Sequence, residues 1–501
     1  ARAGSSNLTY KTCDRTEHEF MFQKIDIKRG ILWRLVEVVG AEFFAFCSFL
    51  VLTWLLAPEH FGVVALATMF IMVAQLVLYQ GIGEALVQKE GIDEAFFSSA
   101  LWMNTALAAL AAAVLTSTSS WIADVFSEPG FAPILRAIAP LLLIYAVSGI
   151  LQAKLRRDLK LKAFAFASIA ATLCGALVAI VMALMDFEAW SLVGRQWVYA
   201  LISTAMFLTF AAWWPRLSML WSHFLVLAGF SSNVIGSALL RFGLRQVDLL
   251  FLGFHLPARE VGLYFLATRL LNTVGQVTYQ SIQKIGLPVL SRLQTDPEKH
   301  RAGVISILRL TCMICLPIFL GMVTTADLFI PIMFDAAWNG AIAPFRMQCL
   351  FSIFFALSLI ANQVLLSAGL AGTVLRLSMI NVALFIISVA LASPHGITAT
   401  AAAGGLANML CLPIYLQTLR QKLDLDLTHL LSELWPTWLA AAVMTTTVLT
   451  CRHTALTGFH GGTELTLSIL IGTTTYTAVI ATLHRWYDHL SGVTTSLGSR
   501  S

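Results

Sequence analysis

Between residues 30 and 484 the chain is one apolar stretch after another, fourteen in all, each long enough to cross a bilayer. Crossing a hydrocarbon core of ~30 Å takes about 20 apolar residues in a helix. Only 12% of the residues are charged and 58% are hydrophobic, where a soluble domain carries about 25% charged residues. The expected fold class is therefore all-α: a polytopic membrane protein with about 14 transmembrane helices. Their expected positions are 30–56, 61–83, 96–122, 133–153, 163–185, 189–213, 224–254, 260–283, 303–323, 341–367, 374–392, 397–417, 434–451 and 465–484. The first 28 residues are the sizeable hydrophilic segment, and without an apolar core or a small-residue cleavage site they do not read as a signal peptide.

Charge sets the orientation. With the N-terminus in the cytoplasm, that side collects nearly all the loop lysines and arginines, among them Lys28, Arg29, Lys154, Arg156, Arg157, Lys160 and Lys162, while the outer loops hold Arg259 and Arg452. The positive-inside rule then places both termini in the cytoplasm. The eight cysteines do not form a disulfide framework; Cys312 and Cys315 make a C-x-x-C inside an apolar span without histidine or acidic neighbours, which reads as packing.

The chain also repeats itself. FGVVALAT (61–68) returns as VGLYFLAT (261–268), each after a short turn with a proline, Pro58 and Pro257. Ala132-Pro133 returns as Ala343-Pro344, Gln152 as Gln363 and Ile169 as Ile380. The repeat unit holds six spans, an even number, so the two halves are parallel and related by an axis along the membrane normal. The expected domains are a cytoplasmic segment (1–29), a six-helix bundle (30–213), a linker (214–223) and a second six-helix bundle (224–417). A cytoplasmic linker (418–433), two extra helices (434–484) and a cytoplasmic tail (485–501) follow. Two parallel six-helix bundles with a cleft between them is a transporter architecture.

The residues of LLAPEHFGVVALATMFIMVAQLVLYQGIGEALVQKEGIDE (55–94) carry a resemblance as well. Leu56, Pro58, Phe61 and Gly62, followed by Gly81, Gly83, Ala85, Leu86, Val87 and Gln88, fit the "L-x-P-x-x-F-G" and "G-x-G-x-A-L-[IV]-Q" pattern of bacterial polysaccharide transporters. The segments 151–165, 260–271 and 288–299 match too, whereas Glu84 stands where the family has a small residue. The chain resembles the lipopolysaccharide and exopolysaccharide translocases of the colanic-acid exporter type, within the multidrug/oligosaccharidyl-lipid/polysaccharide exporter superfamily. The resemblance implies a flippase, not an enzyme, that moves an undecaprenyl-pyrophosphate-linked sugar repeat unit across the bacterial cytoplasmic membrane. It implies membrane lipids and the polysaccharide polymerase and export machinery as partners; nothing in the sequence points to nucleic acid.

Ionisable residues deep in a membrane are costly and usually face a cavity. Span 7 carries Arg241, Arg245 and Asp248 on one helical face, and span 8 carries Arg269, Asn272, Gln276, Gln280 and Gln283 as one polar stripe. At ~1.5 Å per residue, Arg245 and Arg269 sit roughly 17–20 Å below the turn between these spans. Two guanidiniums at that depth suit a lipid pyrophosphate, since their forks pair bidentately with its oxygens; Asp248 is expected to pair with Arg245 when substrate is absent. A structural ion-pair cluster is the competing reading. In span 1, Glu37 pairs with Arg34 in the simplest reading. Glu42 is deeper, where a carboxylate is costly to keep charged, so it reads as the carrier of a coupling proton or as a ligand for Na⁺. Glu37, Glu42 and Asp248 are thus the ion-coupling candidates, with no metal or organic cofactor expected. Arg136, Arg195, Arg309 and Arg346 read as anchors near helix ends, and Trp213-Trp214 as an aromatic belt. The cationic mid-membrane face favours an anionic lipid over a cationic drug. A peptidoglycan-precursor flippase, a drug exporter and, further off, a membrane polymerase or ligase remain as alternatives.

Overall fold

The computed structural model describes residues 33, 36–76, 78, 83, 86, 94–216, 246–456, 458, 459 and 461–498, and all regular structure among them is helical. In chain order the helices are α1 (Val36–Leu55), α2 (Pro58–Gln75), α3 (Glu94–Phe126), α4 (Phe131–Ile138), α5 (Leu141–Arg157), α6 (Leu161–Leu184) and α7 (Ala189–Ala211). Then come α8 (246–255), α9 (Ala258–Val277), α10 (Tyr279–Leu293), α11 (Pro297–Met333), α12 (Ile342–Ser367), α13 (Ala371–Ala392), α14 (Ile397–Leu423), α15 (Leu427–Thr454) and α16 (Gly461–Gly498). Eleven helical segments among the described residues are long and apolar enough to cross a membrane. The sixth and eighth expected spans, which carry Arg195 and the polar stripe, are not among the eleven, and part of the seventh lies outside the described residues.

Helix ends follow local chemistry. Pro58 opens α2, a position where its missing N–H costs nothing. Asp296 caps α11 by accepting from the Lys299 N–H at 3.2 Å, with Pro297 in the first turn, and Asp426 caps α15 by accepting from the Thr428 N–H at 2.9 Å. The bonds from Lys299 and from Thr428 hold these two carboxyls below the usual carboxylate range.

Two elements differ from the expectation. The fourth span is two helices, broken between Ile138 and Leu141 at Pro140. The eighth is broken at Thr278, whose ψ of −103° ends α9 and starts α10. There the Tyr279 ring folds back over Gly275, where an added Cβ would lie 2.3 Å from the tyrosine hydroxyl oxygen.

The described residues pack as two units. One comprises 36–56, 67–124 and 129–216 and centres on Phe97, Leu101, Leu151, Phe164 and Phe207. The basic run after α5 is tied into it. Lys154 and Arg157 lie over the Phe97 ring, Arg156 over Phe164, and Arg157 also donates to the Leu86 carbonyl. Of the two tryptophans expected in an aromatic belt, Trp213 is buried edge-on to Phe97 while Trp214 is 76% exposed.

The other unit comprises 57–66, 125–128 and the described residues from 246 onward. It contains both copies of the repeated turn, and their geometry matches. Leu56 N–H donates to Leu52 O and Leu256 N–H to Leu252 O, both at 2.8 Å. Helices α2 and α9 then cross at Gly62 and Gly262. A Cβ on Gly62 would lie 1.8 Å from Ala258 O, and one on Gly262 would lie 1.9 Å from Pro58 O. The crossing is reciprocal, and small residues permit this approach of two backbones.

The last two helices are fastened to this second unit by a polar clamp. Asp327 of α11 accepts from Arg346 of α12 at 2.6 Å and from both terminal nitrogens of Arg452 of α15, at 2.7 and 3.1 Å. Arg452 Nε donates to Glu464 of α16 at 3.0 Å. Arg346, expected as a lone interface anchor, is thus part of a network. Its counterpart in the repeat, Arg136, donates to Ser119 and Ser120 of α3. Charge-assisted bonds are worth about 1.5–3 kcal/mol each before solvent screening, and the Asp327 side chain is 37% exposed. Asp327→Ala should therefore lower the stability of the detergent-solubilised protein by about 1–3 kcal/mol, read as an earlier thermal unfolding midpoint. An unchanged midpoint would mean that apolar packing alone holds α15 and α16.

Candidate functional site

The polar groups expected to carry transport lie on two separate sets of helices. In the second unit, α9 has two unlike faces. Leu271, Val274 and Gly275 pack towards the core formed with Tyr279, Cys312, Cys315 and Phe319. Arg269 and Gln276, half-buried, and Asn272, exposed, occupy the opposite face. Arg269 stands three helical turns from the start of α9, about 16 Å at ~1.5 Å per residue. Gln280 and Gln283 are half-buried as well, but they belong to α10. The break at Thr278 therefore divides the single stripe into two, Arg269–Asn272–Gln276 and Gln280–Gln283.

Arg241 and Arg245 lie outside the described residues. Asp248 is buried, and its carboxylate accepts from the Tyr264 hydroxyl at 2.6 Å and from the Leu249 N–H at 2.9 Å. Tyr264 belongs to the repeated VGLYFLAT segment, one helical turn before Thr268. Thr268 takes a 2.9 Å bond from Gln348 Nε2, and its repeat counterpart Thr68 takes one of the same length from Gln196 Nε2. Asp248 thus anchors a buried polar cluster where α8, α9 and α12 meet, and a hydroxyl on another helix holds it.

In the first unit the sequence reading placed Arg195 as a helix-end anchor. Instead it faces inward. Arg195, Gln196 and Tyr199 of α7 line a cavity of about 260 Å³ together with Glu42 of α1, Tyr145 of α5 and Thr172 of α6. Gly175 lets α7 approach α6 here, since a Cβ at that position would lie 3.0 Å from the Arg195 carbonyl oxygen. Glu37, one turn before Glu42, is buried and acts electrostatically on Tyr199, which also hydrogen-bonds to Ser168. The sequence signal for this site was the coincidence of Glu42 with an arginine and two tyrosines in spans that pack together. The residues are scattered from 42 to 199, so only the fold unites them.

With helices as the only regular structure among the described residues, eleven of their helical segments long and apolar enough to cross a bilayer, and ionisable groups held inside both units, the chain belongs to the class of polytopic helical membrane proteins. Among solved structures it is similar to the lipid II flippase MurJ in an inward closed conformation, with TM-score 0.75 and 12% identity over 91% of this chain and 99% of that one. It is also similar to an inward-facing multidrug resistance MATE family transporter of the MOP superfamily, with TM-score 0.55 and 14% identity over 79% and 94% of the two chains. These likenesses concern the fold. The sequence profile of the polysaccharide biosynthesis proteins matches residues 51–343, more than half of the chain, and the protein belongs to that family.

Its relatives include the succinoglycan biosynthesis transport protein ExoT of Rhizobium meliloti, 23% identical over 63% of this chain and 64% of that one. The lipopolysaccharide biosynthesis protein WzxC of Escherichia coli is 20% identical, over 64% and 65% of the two chains. The teichuronic acid biosynthesis protein TuaB of Bacillus subtilis is 21% identical, over 60% and 62%. The alignments span less than two thirds of each relative's own length.

Proposed function

We propose that the protein is a flippase of the bacterial cytoplasmic membrane. It moves an undecaprenyl-pyrophosphate-linked oligosaccharide unit from the inner to the outer leaflet for exopolysaccharide or lipopolysaccharide synthesis. Both termini are cytoplasmic, and the two six-span repeats, 30–213 and 224–417, alternately open a cleft to each side. The observation that carries this reading is a half-buried arginine, Arg269, about 16 Å along α9 from its start, on the face turned away from its own core, in a member of the polysaccharide biosynthesis family. An arginine facing lipid there would be heavily penalised, whereas a lipid pyrophosphate gives its guanidinium two parallel charge-assisted bonds.

Arg241 and Arg245 of the seventh span join Arg269 in holding the pyrophosphate. Asn272, Gln276 and Gln280 give neutral hydrogen bonds to the sugars in a wet cleft. The polymerase and export machinery that consume the flipped unit are the natural partners.

The test is reconstitution. Liposomes holding the purified protein and an undecaprenyl-pyrophosphate-linked oligosaccharide with a fluorescent sugar are treated with a membrane-impermeant quencher. Quenching that continues beyond the outer-leaflet fraction, faster than in empty liposomes, is the expected result. Equal rates with and without protein would remove the flippase reading. Lipid II in the same assay separates this substrate class from a peptidoglycan precursor, and it should flip no faster than in empty liposomes.

A further inference from the structure

The turn that joins α5 to α6 is built twice in this chain, and one copy is charged while the other is not. In the first unit Asp158 N–H donates to Lys154 O at 2.9 Å, Leu159 N–H to Arg156 O at 3.2 Å and Lys160 N–H to Leu155 O at 2.9 Å. In the second unit, between α12 and α13, Ala368 N–H donates to Val364 O at 3.2 Å, Gly369 N–H to Leu366 O at 3.0 Å and Leu370 N–H to Leu365 O at 3.0 Å. The bonding pattern is the same, so residues 154–162 correspond to 364–372. Lys154, Arg156, Arg157, Lys160 and Lys162 stand where the second turn has Val364, Leu366, Ser367, Leu370 and Gly372. The left-handed position is Gly369 (φ +77°) in one turn and Leu159 (φ +54°) in the other. The backbone thus closes without charge and with glycine, the residue that position favours. Neither the cations nor the leucine is needed to make the turn.

Helix electrostatics account for part of the charge. Lys154, Arg156 and Arg157 end α5, where cations are favoured. Lys154 and Arg157 also lie over the Phe97 ring, and Asp158, the one acid in the run, is 3.6 Å from Lys154. Lys160 and Lys162 begin α6, where the helix dipole disfavours a cation. Arg156 lies over the Phe164 ring, Lys162 lies over the Trp33 ring, and Lys160 donates to the Phe210 carbonyl at 3.1 Å. Among the described residues no carboxylate pairs with these three. A guanidinium stacked by its face still presents an N–H edge to an anion.

Length fixes what the turn can meet. Residues 158–160 alone separate α5 from α6, and both helices belong to segments long and apolar enough to cross a membrane. The turn is therefore held at the bilayer surface, level with the headgroups. At its tip Leu159 is 73% exposed, with cations on either side. An exposed leucine ringed by cations suits that boundary, where an apolar group enters the acyl layer and basic groups meet phosphates. A soluble partner would have to reach between headgroups to touch it.

We propose that the α5–α6 turn is a binding surface for anionic phospholipid headgroups. Arg156, Lys160 and Lys162 pair with the phosphates, and Leu159 seats among the first acyl carbons. The proposal holds whether or not the chain flips a lipid.

The experiment is native mass spectrometry of the purified full chain in a neutral detergent, with phosphatidylglycerol or phosphatidylcholine added at a series of concentrations. Each cation near an anionic lipid contributes about fivefold in affinity. The parent should therefore retain phosphatidylglycerol at least about tenfold more tightly than phosphatidylcholine. Arg156→Gln, Lys160→Gln and Lys162→Gln together should remove that preference. Arg156→Lys with Lys160→Arg and Lys162→Arg keeps the charges and should stay near the parent. Leu159→Gly separates lipid contact from folding: glycine relieves the left-handed backbone, so the unfolding midpoint in detergent should hold or rise while phosphatidylglycerol retention falls. Raising the ammonium acetate concentration tests the parent without any substitution, because salt should release phosphatidylglycerol and leave phosphatidylcholine. The proposal is overturned if the parent retains both lipids equally, if salt releases both alike, or if the triple glutamine variant keeps the preference. It also falls if undecaprenyl pyrophosphate at equal concentration displaces the bound phosphatidylglycerol, since the surface would then serve the substrate headgroup.

Discussion

Arg269→Ala should abolish the polysaccharide export proposed above while the protein accumulates in the membrane at its normal abundance. The expectation combines depth, face and chemistry. Three turns into α9, Arg269 shares a face with Asn272 and Gln276, opposite the residues that join the core of its unit. A charged fork at that depth is tolerated where it meets water, a counter-ion or an anionic ligand. A charge-assisted bond contributes about 1.5–3 kcal/mol, so losing a bidentate contact to pyrophosphate weakens substrate binding by at least about tenfold. Arg269→Lys should restore part of the export, because a charge returns without the planar fork. Arg245→Ala, from the seventh span, should behave like Arg269→Ala. If both alanine variants export at the parent rate, the phosphate is held elsewhere. If they vanish from the membrane, the arginines belong to a structural ion-pair cluster.

The helical class of the chain and the recurrence of its turn segments could be read from the sequence because both leave local marks. Apolar length marks a span, and Gly62, Leu66, Ala67 and Thr68 returning as Gly262, Leu266, Ala267 and Thr268 mark the repeat. What could not be read depends on partners distant in the chain. Arg195 lies a few residues from the start of α7, so counting along the sequence put it near an interface. Residues of α1, α5 and α6 instead meet it around a half-open cavity. Asp248 accepts from Tyr264 of α9, a contact that no spacing along the chain marks. The clamp around Asp327 draws on Arg346, Arg452 and Glu464 from three other helices.

The break at Thr278 carries no proline. It sits where the Tyr279 ring needs the space that Gly275 leaves open, so the signal was a glycine four residues before an aromatic, too common to single out. Trp213 and Trp214 are adjacent, and one is core while the other is surface; a helix end turns neighbouring side chains to different environments.

Gly62→Ala and Gly262→Ala should each loosen the crossing of α2 and α9, and their effects should not add. The added methyl at 62 would lie 1.8 Å from Ala258 O, and the one at 262 would lie 1.9 Å from Pro58 O. Each obstacle is backbone, so no rotamer change relieves it and the helices must part. Parting them disturbs the Phe61 ring, which stacks near Phe265 with centroids 6.5 Å apart and meets the fully buried Trp338 edge-on at 5.2 Å. Overpacking of this kind costs about 1–3 kcal/mol and occasionally more. The thermal unfolding midpoint in detergent should fall for each variant. Gly321→Ala in α11 is the control. Its new methyl meets nothing within 4 Å, and alanine is favoured over glycine in a helix by about 1 kcal/mol, so its midpoint should hold or rise. The double variant decides whether the crossing is one contact or two. Because each glycine faces the turn that precedes the other, a single separation of the helices relieves both clashes. Contacting sites couple by about 0.5–3 kcal/mol, so Gly62→Ala with Gly262→Ala should cost clearly less than the sum of the two single changes. Strict additivity would mean that the two glycines act independently and that the reciprocal crossing does not form.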